Sequence, residues 1–414
     1  MPNTLNTNVC IIGAGPAGTI AALFLAKQGI ECTLVDKEKF PRDKICGDAL
    51  SGKVVEILNK LDPEIIRDFS MEECQLGSWG VTFVAPNLEK LRVPFKSDGL
   101  KKTLAPGFIS KRIDFDNLLL EIAKQKKEIN YLEGINIGDY RREGEAIIAV
   151  TKDGTLEIQT NIIIAADGAH SRFAKKIAGL EVKPEHHCYG LRAYYNGITE
   201  LDEENFIELQ FLKEVLPGYF WIFPLPNGSA NVGVGMRSDV IKKKKINLKK
   251  KFEEIVNENP IISKRFKKAK MQDGVKLFSL PLASIKRSLS GDNFMLTGDA
   301  AALIDPFTGE GIGNAMVSGM LAAQQVETCL STDNYSGEFL KSYDAKVYER
   351  LWSELRLSKK LQQLVKYPWL FNFVVKKAKR NKALSETISC MFEDLDIRVK
   401  LKQPSFYFNL IFSN

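Results

Sequence analysis

A chain of 414 residues with 44% hydrophobic residues, 26% charged residues and a formal charge of +7 has the composition of a globular protein. It is long enough for two or three cores, because one core rarely grows past about 250 to 300 residues. The apolar fraction excludes a disordered chain, and 30 Gly with 16 Pro exclude a collagen-like or low-complexity polymer.

Residues 1–8 lack the basic region and apolar run of a secretory signal, which points to a cytoplasmic address. Val9 to Ile12 is a short apolar run suited to a buried parallel strand, and it ends in Gly13-Ala14-Gly15-Pro16-Ala17-Gly18. Thr19 to Gln28 is rich in Ala and Leu and reads as a helix closed by Gly29. Ile30 to Val35 is a second strand, with Asp36 at its end. In this order every glycine serves a physical purpose. Gly13 makes the tight turn, Gly15 lets a pyrophosphate approach the backbone, and Gly18 lets helix pack on strand. The phosphates then sit at a helix N-terminus, where free N–H groups and the helix dipole favour anions. Asp36 lies 18 residues beyond Gly18, where a carboxylate accepts hydrogen bonds from an adenosine ribose. This turn alone does not separate FAD from NAD.

Further along, Asn161 to Ala166 is an apolar strand running into Asp167-Gly168, and Asn293 to Thr297 is another running into Gly298-Asp299. The second continues to Asp305-Pro306-Phe307-Thr308-Gly309-Glu310-Gly311-Ile312-Gly313-Asn314-Ala315. This string resembles the second FAD fingerprint of flavoproteins with the p-hydroxybenzoate hydroxylase fold. The resemblance implies that Asp299 contacts the flavin ribityl chain and that amides near Gly311 and Ile312 approach the isoalloxazine ring. A helix N-terminus there favours the negative charge that reduction places on the flavin. Arg112, in Ile109-Ser110-Lys111-Arg112-Ile113-Asp114-Phe115-Asp116, resembles the arginine that reaches the cofactor in this fold. Asp167 resembles the Asp of a motif that hydroxylases follow with Ser and, three residues later, Arg; here Arg172 follows Ser171 directly and Ala174 holds the usual place.

Three more segments resemble the geranylgeranyl reductase family of FAD-dependent oxidoreductases: Lys44-Ile45-Cys46-Gly47-Asp48-Ala49-Leu50, Tyr219-Phe220-Trp221-Ile222-Phe223-Pro224 with the strand at Asn231, and Glu310 within the glycine string. The resemblance implies an α/β fold: a Rossmann-like FAD-binding domain with an inserted antiparallel-sheet substrate domain and a C-terminal helical region. The corresponding pieces are 1–75, 106–180 and 281–335 for FAD, 76–105 and 181–280 for substrate, and 336–414 for the helical region. Strand-like stretches at Ser78 to Val84, Tyr189 to Tyr195, Phe206 to Phe211, Tyr219 to Phe223 and Asn231 to Gly235 fit the inserted sheet. Cofactor contacts are implied at Gly13, Gly15, Pro16, Ala17, Gly18, Asp36, Lys37, Arg42, Cys46, Gly47, Asp48, Ala49, Arg112, Asp167, Gly298, Asp299, Gly309, Gly311 and Ile312.

Tyr219, Trp221 and Phe223 alternate along one strand and so share a face, an aromatic wall suited to a long apolar ligand. The expected reaction is hydride transfer from reduced FAD to a carbon–carbon double bond of an isoprenoid or polyprenyl lipid. Cys46, or a water held by a tyrosine, supplies the proton, and the faces of Tyr219 and Trp221 stabilise developing positive charge. The alternative is a monooxygenase or halogenase acting on an aromatic or polyene substrate. Flavin halogenases carry G-W-x-W-x-I-P where this chain has Tyr219 and Phe223, which argues against halogenation.

No second dinucleotide turn occurs, so NAD(P)H would visit transiently, and a reduced ferredoxin-type carrier serves equally as donor. The seven lysines of 242–251 offer a docking face for such an acidic carrier or for an anionic lipid, or are simply the solvated face of a helix. From Gly337 onward the pattern is helical, with Leu351, Leu355, Leu361, Leu364 and Val365 on a stripe broken by Pro368, and reads as a short appendage packed on the core. Residues 345–414 carry 14 Lys/Arg against 6 Asp/Glu, beside apolar Trp369, Leu370, Phe371 and Phe373. That pairing points to peripheral contact with the inner face of an anionic membrane and away from nucleic acid. The apolar run 369–375 is far short of the about 20 residues a spanning helix needs. Seven cysteines without a C-x-x-C pair read as reduced thiols, and three histidines make a metal site unexpected.

Overall fold

The strand that runs into the first glycine turn is longer than its apolar run. It spans Asn3–Ile12, polar and largely exposed at its start and buried from Val9 onward, because only the second half is covered by helices. A computed structural model describes residues 2–95, 104–144 and 146–381 of the protein. Residues 96–103 of the expected insertion and 382–414 of the expected helical tail, with Lys382, Arg398, Lys400 and Lys402, lie outside the described residues.

Asn3–Ile12 sits near the middle of a sheet in which Phe294–Leu296, Leu156–Ala165, Asn3–Ile12, Cys32–Asp36 and Ile129–Glu133 run parallel in that spatial order. Ile137–Glu143 and Ala146–Thr151 form an antiparallel hairpin on Leu156–Ala165. The glycine-turn helix, Pro16–Lys27, packs against Ile312–Thr332 so closely that a Cβ on Gly319 would lie 2.2 Å from the Ala17 carbonyl oxygen. A small sheet of Ala49–Leu50, Gly107–Ser110 and Gln75–Ser78 joins this layer to the next.

The second large sheet runs Lys270–Met271, His187–Asn196, Ser229–Arg237, Tyr219–Leu225, Ile207–Gln210, Gly80–Val84, Lys90–Pro94, with Lys276–Pro281 also on His187–Asn196. It departs from the purely antiparallel expectation at one place: Ile207–Gln210 pairs in parallel with Gly80–Val84. The two strands come from remote parts of the chain, so no hairpin dictates their sense, and a long connection permits a parallel pair. The pleat sorts the side chains: Trp221 and Phe223 enter one core cluster with Tyr194 and Leu209, while Phe220 and Ile222 enter another with Val232 and Val234.

The C-terminal part is no appendage. Gly337–Leu364 buries Leu340, Tyr343, Val347, Leu351 and Leu355 against the first layer, and its far end reaches the second sheet's core through Leu361, Leu364 and Val365. Pro368 starts a separate helix, Pro368–Ala378, that inserts Phe371 and Val375 into the same core, with Phe371 4.7 Å from Phe211 between ring centres. Phe371 therefore faces inward, away from the surface face expected from sequence. No described helix is long and apolar enough to cross a membrane.

Candidate active site

A cavity of about 750 Å³ runs between the two layers, from the first glycine turn to the aromatic strand. At its first end Gly13 has φ +104°, and a Cβ there would sit 2.4 Å from the Ala166 carbonyl oxygen. Gly15 has nothing closer to an added Cβ than Arg42 Nη2, at 3.5 Å, so the backbone there is open to a ligand. The helix N-terminus at Gly15 has no side-chain cap and no acid in its first turn, leaving its N–H groups to an anion. Asp36, buried at the next strand end, accepts from the Ala14 N–H at 2.6 Å and the Glu38 N–H at 2.8 Å. Burial nonetheless raises its carboxyl above the ordinary range.

Arg112 opens the helix Arg112–Lys124, yet its side chain is buried, gripped at Nε and Nη2 by the two oxygens of Asp116, each at 2.6 Å. Arg42 holds the same carboxylate at 2.8 Å. Two cations hold Asp116 below the ordinary carboxylate range despite its burial, and both guanidiniums remain at the cavity wall.

The second glycine string closes the other side. Asp299 lies at the wall, 2.8 Å from Lys44 Nζ. Asp305 folds the following loop by accepting at Oδ1 from the N–H groups of Phe307 and Thr308, each at 2.8 Å. That loop delivers Gly309, Glu310 and Gly311 to the cavity, and the helix Ile312–Thr332 starts there from Gly311, with Glu310 accepting from its Gly313 N–H at 2.6 Å. Two helix N-termini thus face one cavity, the first without a side-chain cap and the second bonded only from Glu310. Asp167 lines it with a buried, unpartnered Oδ1. Open amides at Gly15 and Gly311 and free carboxylate oxygens between them suit a pyrophosphate joined to polyhydroxyl groups, and so fit FAD.

At the far end Tyr219, Trp221 and Phe223 form a continuous face, with ring centres 6.1 and 6.2 Å apart. Their polar atoms are tied down: Tyr219 donates to the Thr308 carbonyl, and Trp221 Nε1 donates to Asn231 Oδ1 at 2.9 Å. Gly233 makes room for the indole, since a Cβ there would lie 2.1 Å from Trp221 Cζ2. Opposite stand Cys46, Gly47, Asp48 and Ala49. The Cys46 thiol is pushed up by burial, which keeps its proton on sulfur. Asp48, fully buried with φ +67°, accepts at Oδ2 from Tyr194 Oη at 2.7 Å and Asn231 Nδ2 at 2.8 Å, while Oδ1 has no partner. Burial pushes its carboxyl up to about 6.

Of the residues expected from sequence, Gly13, Gly15, Pro16, Ala17, Asp36, Lys37, Arg42, Cys46 to Ala49, Arg112, Asp167, Asp299, Gly309, Gly311, Ile312, Tyr219 and Trp221 line this cavity. Gly18 and Gly298 do not: Gly18 is packed under the Gly13 carbonyl, 1.9 Å from where its Cβ would be, and Gly298 backs onto Ala315 and Ala17. Both let the backbone close up behind the wall, without themselves facing a ligand. The sequence reading misses the supporting roles of Asn231 and Tyr194. A buried asparagine inside a strand is a signal, because Asn is depleted there unless its amide has partners.

The FAD binding domain family matches residues 6–358 of the chain. A digeranylgeranylglycerophospholipid reductase of Methanocaldococcus jannaschii is 31% identical over 371 residues, 86% of this chain and 87% of that protein. A menaquinone reductase of Mycobacterium tuberculosis is 28% identical, covering 78% of this chain and 77% of its own length. Among solved structures, a geranylgeranyl bacteriochlorophyll reductase-like protein from Thermoplasma acidophilum shares the fold, with a TM-score of 0.76 at 23% identity over 93% of this chain and 92% of that one.

Proposed function

The chain belongs to the FAD binding domain family and, within it, to the geranylgeranyl reductases, and on that footing we propose that this FAD-dependent oxidoreductase saturates carbon–carbon double bonds of an isoprenoid or polyprenyl lipid. The observation that carries the substrate class is the aromatic face whose Tyr219 hydroxyl and Trp221 N–H bond within the protein, which leaves π faces, the Cys46 thiol and a single Asp48 oxygen for a ligand. Gly13, Gly15, Pro16 and Ala17 would take the pyrophosphate, Asp36 with Lys37 the adenosine ribose, and Asp299 with Gly309 the ribityl chain. Gly311 and Ile312 would take the ring, and Arg42, Arg112, Asp167 and the segment Cys46 to Ala49 would flank it. Reduced FAD would supply the hydride there. Cys46 keeps a proton at the wall, and the faces of Tyr219 and Trp221 are placed to favour positive charge on a carbon between them.

The division of labour we propose follows the layers: 1–75, 106–180 and 281–335 hold the cofactor, 76–105 and 181–280 the substrate, and the helices from 336 close the cavity. NAD(P)H or a ferredoxin-type carrier is the proposed electron donor, with the exposed lysines of 242–251 as the docking face for an acidic carrier. Peripheral contact with the inner face of an anionic membrane is supported by Trp369 and Phe373, which are 71% and 54% exposed, beside exposed Lys366, Lys376, Lys379 and Arg380. Flotation with anionic but not neutral vesicles is the expected result.

The decisive experiment supplies the reduced holoenzyme with a geranylgeranyl lipid in the absence of air. A mass gain of two hydrogens per saturated bond is expected. Product that forms only when oxygen is admitted would replace this reading with a monooxygenase or halogenase.

A further inference from the structure

Behind the loop that carries Gly309 and Gly311, two carboxyl groups share one ammonium and a third, Asp305, acts on it through space. Lys53, on the helix Gly52–Leu61, is 1% exposed; its Nζ lies 2.6 Å from Glu354 Oε1 and 3.9 Å from Glu310 Oε2. Glu354 comes from the long helix Gly337–Leu364, and Asp305 and Glu310 come from the loop itself. Glu310 accepts at Oε1 from the Gly313 N–H at 2.6 Å and from Ser51 Oγ at 3.0 Å, while its Oε2 makes no hydrogen bond. Asp305 spends Oδ1 on the loop and leaves Oδ2 buried beside the Ser358 hydroxyl. Ser51, Ser358, the Tyr219 phenol and Gln362 also face the cluster, the last donating to the Pro306 carbonyl, and the Arg350–Glu56 ion pair, at 2.8 Å, stands one turn away on the same two helices. Glu310 and Asp305 reach the cavity wall, whereas Lys53 and Glu354 stand behind it.

Full ionisation would bury three negative charges against one positive, an excess that a low-dielectric site removes by keeping a proton. Burial accordingly pushes the Glu354 carboxyl up to about 7 and raises Asp305, while Lys53 keeps its charge. With groups this close the proton belongs to the set and not to one member.

We propose that Asp305, Glu310, Glu354 and Lys53 hold one exchangeable proton behind the cofactor loop, and that Glu310 passes it into the cavity to replace the proton each saturated double bond consumes. The proposal rests on the reductase reading for the use of the proton, and on the cluster alone for its presence. The balance is simple. The alkene π pair becomes the C–H bond to a proton, and the hydride pair, drawn from reduced FAD and ultimately from NAD(P)H or a carrier, becomes the second C–H bond. The cluster, left one proton short, is refilled from water.

Two measurements test it. Difference infrared spectroscopy of the chain without lipid, titrated upward from neutral pH, should show a protonated carboxyl band that is lost on titration, and that band should weaken in Glu354→Gln. Its absence from the wild type overturns the proposal whatever the substrate proves to be. Anaerobic single-turnover oxidation of the reduced holoenzyme by lipid should fall at alkaline pH. Lys53→Met removes the cation and should move that limb to higher pH by about one unit, while Glu354→Gln removes an anion and should move it to lower pH by about as much. Movement of both limbs in one direction, or of neither in variants that keep the wild-type melting temperature, would mean the cluster only braces the loop. If the infrared band is present but no lipid is reduced, the reservoir stands and the reductase reading falls.

Discussion

The two ends of the cavity are built on opposite principles. At the glycine-turn end the wall is backbone: Gly13 is fixed by its φ of +104°, Gly15 is open, and the helix Pro16–Lys27 begins without a side-chain cap. At the aromatic end the wall is side chain, and Tyr219, Trp221 and Asn231 have already spent their polar atoms on Thr308, on each other and on Asp48. Unspent donors call for an anionic, polyhydroxyl ligand, and spent ones for an apolar ligand. One cavity therefore offers two chemically unlike walls, which the proposed function pairs with two chemically unlike molecules.

The comparison breaks most completely at Trp221. Trp221→Ala removes a side chain only 8% exposed, empties the space that Gly233 leaves for the indole, and strands Asn231 Oδ1. A loss of about 3–5 kcal/mol in denaturant unfolding is expected, with lipid binding abolished and FAD binding retained in the folded fraction. Gly15→Leu attacks the other end. Its Cβ meets nothing closer than 3.5 Å, so the melting temperature of the apoprotein should hold, while FAD affinity measured by flavin fluorescence falls roughly a hundredfold, equivalent to about 3 kcal/mol. If Gly15→Leu cost stability and spared FAD, the backbone end would be structural and the contrast would fail.

The glycine-turn end is legible in the sequence, because a backbone requirement leaves its mark in residue type: few residues besides glycine tolerate the φ of Gly13 or the contact behind Gly18. At Gly18 and Gly298 the same residue type serves packing behind the wall, as the sequence reading expects of Gly18. The aromatic face is legible through its period of two. How its supports meet is not, because Tyr194, Asn231 and Asp48 come together only when strands far apart in sequence pair, and of that network the asparagine inside a strand is the local trace. Lys53 and Glu354 leave one as well. Each sits at helical spacing among buried apolar neighbours, Lys53 with Ile57 and Leu61 and Glu354 with Val347 and Leu351, and a charge on such a stripe calls for a buried partner. The tail misleads because its stripe is split between two cores, so that neither half predicts how fully Gly337–Leu364 is built in.

Asp48 joins the two ends and gives a subtler test. Its carboxyl is raised from 3.8 to about 6, so the unfolded chain releases that proton first. The stability this group contributes is fully present below pH 3.8 and is lost as pH rises through about 6. Asp48→Asn keeps an acceptor for Tyr194 and Asn231 and removes the titration. Between pH 4 and 6 the variant should therefore gain stability relative to wild type, on the order of 3 kcal/mol in all, because other titrations cancel in the difference. A flat difference would mean that Asp48 ionises freely in the folded state.

The smallest effect is expected at Tyr219, whose hydroxyl bonds the Thr308 carbonyl and so ties the aromatic strand to the cofactor loop. Tyr219→Phe keeps the ring and removes one neutral hydrogen bond, worth about 1 kcal/mol in unfolding. The more telling readout is flavin fluorescence. If this bond couples the two ends, binding of a geranylgeranyl lipid should perturb the flavin emission in wild type and perturb it less in Tyr219→Phe, at unchanged FAD affinity. An equal perturbation in both would show that the ends sense each other through Asp48 and the segment Cys46 to Ala49, where Asn231 Nδ2 donates to both the Cys46 carbonyl and Asp48.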